Sequence, residues 1–114
     1  MNAFDFSGQW VGESMGRETA PWLWRISIHH NAVFIYPRDE SGADAGYLSG
    51  QLDASGAGFV LYDQTRYAGA ARVLDADHFL LAGFDAHEDA SNDVVFSRPG
   101  LAELNARAVY EARR

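Results

Sequence analysis

A chain of 114 residues is the size of one domain, and a domain of that size buries about two thirds of its surface on folding. Its 47% hydrophobic content and mean hydropathy of -0.24 are those of a globular protein, not of a disordered tail. Nine basic against 16 acidic residues leave a formal charge of -7, which argues against nucleic acid and anionic membrane as partners, while the lack of cysteine excludes disulfides, thiolate catalysis and Cys-ligated zinc.

Short runs of alternating apolar and polar residues recur along the chain, the period of strands with one buried face. The predicted strands, in order, cover residues 9–14, 22–29, 32–37, 46–52, 58–62, 66–74, 78–84 and 93–97. The second is the clearest: Trp22, Trp24, Ile26 and Ile28 alternate with Leu23, Arg25, Ser27 and His29. Turn-forming residues separate the strands, among them Asn31, Asp53-Ala54-Ser55-Gly56, Asp63-Gln64, Asp75-Ala76-Asp77 and the polar stretches at 38–42 and 85–92. Glycine reaches positive φ without strain, and Asp and Asn side chains bond to nearby backbone. Connections this short join antiparallel neighbours, because a parallel crossover takes a dozen residues or more. The reading is an up-and-down meander. A weak internal echo fits it: Leu52-Asp53-Ala54-Ser55 before Phe59-Val60-Leu61 matches Leu74-Asp75-Ala76-Asp77 before Phe79-Leu80-Leu81, as two hairpins of one sheet would.

After the last strand the period changes. Leu101, Leu104, Ala108 and Ala112 fall near helical spacing, with Ser97 or Pro99 as the predicted start, Glu103 early and Arg113-Arg114 at the end, as the helix dipole prefers. One narrow apolar stripe suits a helix docked on the outside of a sheet. We therefore predict a single domain over 1–114: an all-β, eight-stranded antiparallel up-and-down barrel over 1–98 and an α-helix over 99–114 packed outside it. Strands of about eight residues at a tilt of ~40° give a barrel only about 20 Å tall, which a few aromatic side chains can plug at one end.

The opening Phe6-Ser7-Gly8-Gln9-Trp10-Val11-Gly12-Glu13 resembles the N-terminal Gly-x-Trp signature of the lipocalins and the wider calycin superfamily, which also holds the fatty-acid-binding proteins and avidins. The resemblance implies that Trp10 plugs the closed end of the barrel. It also implies that a basic residue after the last strand packs over Trp10, and Val94-Val95-Phe96-Ser97-Arg98 puts Arg98 at that place. Lipocalins likewise carry a helix after the last strand. The pair makes physical sense without the family, since a guanidinium stacks on an indole face and can satisfy loop carbonyls. This chain is shorter than typical lipocalins and lacks their disulfide. More distantly, Gly8-x-Trp10-x-Gly12-Glu13 with Gly16 resembles the nitrobindin-like haem-binding group. The haem histidine of that group lies near the C-terminal strand, whereas His87 here sits in a polar loop, so no haem is expected.

Candidate chemistry is sparse. His29 and His30 are adjacent at a strand end, face opposite ways and make a poor metal pair; His78 is expected to be exposed. The 85–93 run is rich in oxygen ligands but lacks EF-hand spacing, and it reads, like Asp39-Glu40, as a solvated tip. Arg66 and Arg72 share a face with Ala68 and Ala70: turned inward they would line an anion pocket, turned outward they are surface charge. The aromatic set is the most informative feature. Trp22 with Trp24, Phe34 with Tyr36, and Tyr47, Tyr62 and Tyr67 on neighbouring strands either fill a small core or line a pocket at the barrel mouth.

The expected function is non-catalytic binding of a small apolar or amphipathic ligand by Trp22, Trp24, Tyr36, Tyr47, Tyr67 and Arg66, with Gly8, Trp10 and Arg98 as the structural signature. An enzyme of cyclase or isomerase type on the same scaffold, and a filled barrel serving protein–protein contacts, stay open as alternatives. No cofactor and no metal site are expected. The N-terminal residues have neither the basic region nor the apolar run of a secretory signal, so a bacterial-type cytoplasmic chain is the expectation. Oligomeric state is left open, a dimer included.

Overall fold

Alternation along each strand decides what enters the barrel, and in most strands one face is plainly the more apolar. The computed structural model describes residues 4–15, 22–38, 41, 43, 46–84, 92–100 and 106–113. Its strands are β1 (Gly8–Ser14), β2 (Trp22–His29), β3 (Ala32–Arg38), β4 (Leu48–Leu52), β5 (Gly58–Asp63), β6 (Arg66–Asp75), β7 (His78–Phe84) and β8 (Asn92–Ser97), followed by α1 (Ala106–Arg113). Each strand pairs antiparallel with the next, and β1 pairs with β8, so the sheet closes into the predicted eight-stranded barrel. Closure leaves no strand edge open to a wrong partner.

Every predicted strand is present. The fourth is shorter than the alternation suggests, because pairing with β3 stops at Ile35 opposite Leu48. The tight turns follow the expected chemistry. Asp53 Oδ1 accepts from the Ser55 amide at 3.0 Å and the Ser55 hydroxyl at 2.6 Å, and Asp75 Oδ1 accepts from the Asp77 amide at 2.9 Å. Of the two predicted helix starts, Ser97 is the last residue of β8 and Pro99 forms a turn with Gly100; the helix is described from Ala106. The calls on Gly16, Asp39-Glu40, His87 and the rest of the 85–91 loop lie outside the described residues, as does most of the helix start.

Aromatic rings fill the interior. Phe79 lies within 4.7 Å of Trp10, 4.9 Å of Phe96, 5.3 Å of Phe6 and 5.9 Å of Phe59, centroid to centroid. Trp24 stacks on the far side of Phe96 at 4.3 Å. Val33, Ile35, Leu61, Leu81 and Val94 complete a core shielded from water. Such aromatic pairs add about 0.5–1.5 kcal/mol each beyond the area they bury.

A second, smaller core lies outside the barrel. Ala106, Val109 and Tyr110 of α1 cover Met15, Leu74, Leu80 and Val95 on the outer side of β6, β7 and β8. An eight-residue helix is too short to hold its shape alone, so this docking stabilises it. Two hydrogen bonds fix it across the closure seam: Arg107 Nη2 donates to the Met15 carbonyl at 2.9 Å, and Tyr110 Oη donates to Asp93 Oδ2 at 2.8 Å.

Gly12 shows how tightly the inside is packed. A Cβ built there would lie 2.5 Å from Cε1 of Phe96, a ring already held between Trp24 and Phe79. Gly12→Ala should therefore cost about 1–3 kcal/mol by overpacking, read as a lower urea midpoint with an unchanged m-value.

Candidate functional site

The barrel has two unlike ends. At one end the chain enters through residues 4–7 and leaves through Arg98, and the β2–β3, β4–β5 and β6–β7 turns cluster there. At the other lie the β1–β2, β3–β4 and β7–β8 connections and the tight Gln64–Thr65 turn.

The first end is sealed. Phe6 folds under the barrel, and the Trp10 indole donates from Nε1 to the Phe6 carbonyl at 2.8 Å. Arg98 lies with its guanidinium carbon 3.8 Å from the Trp10 ring centroid. It donates from Nη1 to the Ser7 carbonyl at 2.8 Å and from Nη2 to the Asp5 carbonyl at 2.6 Å. Gly8 stands at φ 102°, a conformation side chains rarely adopt, and a Cβ there would come 3.1 Å from Arg98 Nη1. Gly8, Trp10 and Arg98 thus form one structural unit that closes the barrel floor.

The six residues expected to bind ligand separate into two groups. Trp22 and Trp24 do face inward, Trp22 half-buried at the loop end and Trp24 fully within the aromatic core. Tyr36, Tyr47 and Tyr67 do not, and Arg66 is exposed at the rim of the barrel. Tyr36 lies between inward Ile35 and Pro37 on the outer side of β3, where the Arg25 guanidinium covers its ring at 4.2 Å. Tyr47 is 53% exposed and Tyr67 60%. The reversal at Tyr67 has a local cause: the β5–β6 register shifts at Leu61/Tyr62, so that Leu61 pairs with Gly69 but Tyr62 with Tyr67. Ala68 is the extra residue. That bulge flips the face of everything before it, which leaves Ala68, Ala71 and Val73 in the core and Tyr67 outside with Tyr62. Arg66 and Arg72 are both exposed; Arg72 stands opposite outward Leu80, whereas the bulge at Ala68 breaks the face that the two arginines were expected to share, and Arg66 lies at the rim beside the Gln64–Thr65 turn.

The histidines behave differently from one another. His29 and His30 are exposed, as expected, with rings 5.1 Å apart at the β2–β3 turn. His78 is not exposed as expected but 4% accessible, its Nδ1 2.7 Å from Asp75 Oδ1. It lies on the outer side of β7, the side that also carries Leu80 into the small core under α1, and opposite Ser97 on β8. Alternation along β7 could not reveal this, since His78 stands on the side of the strand opposite the barrel core. The Asp75–His78 pair braces the β6–β7 turn, and Ser97 on the neighbouring strand is 0% exposed. Among the described residues no three His, Asp or Glu side chains converge as metal ligands, and no helix is long and apolar enough to cross a membrane.

A concave site lies on the outer wall, where sequence reasoning had not placed one. Gln9, Val11, Leu23, Arg38 and Pro99, together with Trp10 and Trp24, line an open groove of about 420 Å³. The register explains it: Leu23 pairs with both Val11 and Arg38, so three outward side chains stand in one row across β1, β2 and β3. Pro99 rises beside that row where the chain leaves the barrel. Leu23 is 38% exposed, which makes the floor apolar, and the Arg38 guanidinium and Gln9 amide are the polar groups at hand. No family model matches the chain, and no curated protein is significantly similar to it.

The sealed floor makes two predictions. Arg98→Ala removes two charge-assisted hydrogen bonds and the indole stack, so stability should fall by about 3 kcal/mol, a drop on the order of 10 °C in melting temperature. The second concerns acid. The Asp5 carboxyl is held below the usual carboxylate range by the Ser7 hydroxyl and amide, with help from the Arg98 charge, against a smaller opposing effect of burial. A depressed value means that the ionised form stabilises the fold: the contribution is complete above the unfolded value of about 4 and is lost as pH falls through the folded value. Melting temperature should therefore decline below about pH 4. In Asp5→Asn the decline should be shallower, as thermal melts across that range would record.

Proposed function

We propose that this barrel binds a small amphipathic molecule, anionic at one end, in the outer groove across β1, β2 and β3. The observation that carries the reading is the groove itself: Val11, Leu23 and Pro99 as an apolar floor with Arg38 and Gln9 beside it. Its volume falls within the ~300–1,000 Å³ range of small-molecule sites, and a mostly apolar lining with a few placed polar groups is their usual make-up. A guanidinium offers a carboxylate or sulfonate paired donors, and the apolar row takes the rest of the molecule. The packed interior supports the outer location, because Phe79, Phe96 and Trp24 occupy the space that a ligand inside the barrel would need. The lipocalin-like character of the protein rests on the closed eight-stranded barrel and on the Gly8, Trp10 and Arg98 unit at its floor.

Two fluorescent probes test the proposal, anilinonaphthalene sulfonate as the anionic one and phenylnaphthylamine as the neutral one. Both should brighten on titration with the protein, and Leu23→Ser should weaken both about tenfold. Arg38→Ala should weaken the sulfonate several-fold and leave the neutral probe nearly unchanged. Probe emission that ignores both substitutions would refute the groove as the site.

A further inference from the structure

The outer groove is not built on one stretch of wall. Its other described lining residues belong to β1, β2 and β3, but Pro99 follows β8, so the groove crosses the seam at which the barrel closes. The pairing explains how Pro99 comes to stand there. The β1–β8 ladder ends with Val11 opposite Ser97. Two residues further in the same register, Arg98 comes beside Trp10 and Pro99 beside Gln9. The guanidinium over the Trp10 ring and the lining that Pro99 shares with Gln9 agree with that continuation. Alternation then turns Arg98 under the barrel and Pro99 out of it.

Pro99 has little of its own to hold it in that place. Proline has no amide hydrogen, so it cannot donate a further ladder bond toward β1. Its side chain is exposed, and it forms a turn with Gly100, which stands at φ 76°. The Arg98 amide points the other way, to the Asp77 carbonyl of the β6–β7 turn at 3.3 Å. Toward β1 the chain is held by the Arg98 side chain, which bonds the carbonyls of Ser7 and Asp5 at 2.8 and 2.6 Å.

Taking the outer groove as the binding site, we propose that Arg98 is a positioning residue for it. By tying the end of β8 to the residues that lead into β1, it sets Pro99 against Gln9 and Val11 and keeps the apolar floor in the shape that binds. Arg98 is not among the described residues that line the groove, so it acts on a bound molecule through Pro99. Its influence is therefore indifferent to the ligand's charge, unlike that of Arg38. The coupling also runs in reverse. A molecule in the groove touches both sides of the seam, so occupancy and the floor contacts of Arg98 support each other.

The test uses the two fluorescent probes and the full chain. Arg98→Lys keeps a positive charge near Trp10 but replaces the planar fork with a single ammonium, which cannot reproduce both carbonyl bonds in the same geometry. It should weaken the anionic and the neutral probe alike, by about fivefold. Pro99→Gly removes the ring from the wall and should weaken both by a similar factor. The double variant should bind no more weakly than Pro99→Gly alone, because the two residues act as one unit. Leu61→Val trims the core on β5, across the barrel from the seam. It should lower the melting temperature and leave both Kd values unchanged, which separates positioning from stability. Unweakened binding by Arg98→Lys or by Pro99→Gly, a loss confined to the anionic probe, multiplied losses in the double variant, or equal weakening by Leu61→Val would each overturn the proposal. The groove reading fails separately: probes indifferent to Leu23→Ser remove the site itself, whereas probes weakened by Leu23→Ser but not by Arg98→Lys remove the coupling alone.

Discussion

The Arg98 guanidinium is where the two ends of the meander become one structure. It covers Trp10 and holds the carbonyls of Asp5 and Ser7, residues more than ninety positions earlier in the chain. An up-and-down barrel has one pairing that no hairpin supplies, that of the first strand with the last. In this chain the β1–β8 pairing is reinforced at both extremities: Arg98 and Trp10 at the floor, and the Arg107 and Tyr110 hydrogen bonds of α1 to Met15 and Asp93 near the opposite end. The seam is the most expensive contact in loop entropy, and it is the one with the most dedicated side chains.

Sealing the floor with aromatic groups has a consequence for the rest of the interior. Trp10 anchors Phe79, Phe79 stacks on Phe96, and Phe96 stacks on Trp24, so the plug continues well up the barrel. The helix covers the outer sector over β6, β7 and β8, and the groove lies on the wall of β1, β2 and β3.

Much of the architecture was legible in the sequence. Alternation located all eight strands, and the Gly8-x-Trp10 opening together with Arg98 located the sealed end, because that unit depends on residue types with few substitutes. The orientation of side chains was legible only where one face was plainly polar. In β2, Arg25, Ser27 and His29 declare the outer side. In β3 both faces are apolar, Val33 and Ile35 on one and Phe34 and Tyr36 on the other, so periodicity could not choose between them. In β6 a single extra residue, Ala68, reversed the face of Tyr67, and no property of Ala68 signals a bulge. The burial of His78 was not legible either, since it stands on the outer side of β7, opposite Ser97 of another strand. The groove was invisible because Gln9, Leu23, Arg38 and Pro99 come from four separate stretches that meet only once the barrel has closed.

The separation between the halves of the floor unit also bears on how the protein is made. Synthesis proceeds from the N-terminus, so β1 emerges first and stays unpaired on one side until β8 arrives. Throughout that interval the growing meander exposes an open edge and an uncovered Trp10, the features that draw unfinished chains into wrong associations. Arg98 and the helix that follows it emerge after all eight strands and act together on the same seam. Closure of this barrel therefore waits for them rather than following the gradual growth of its core.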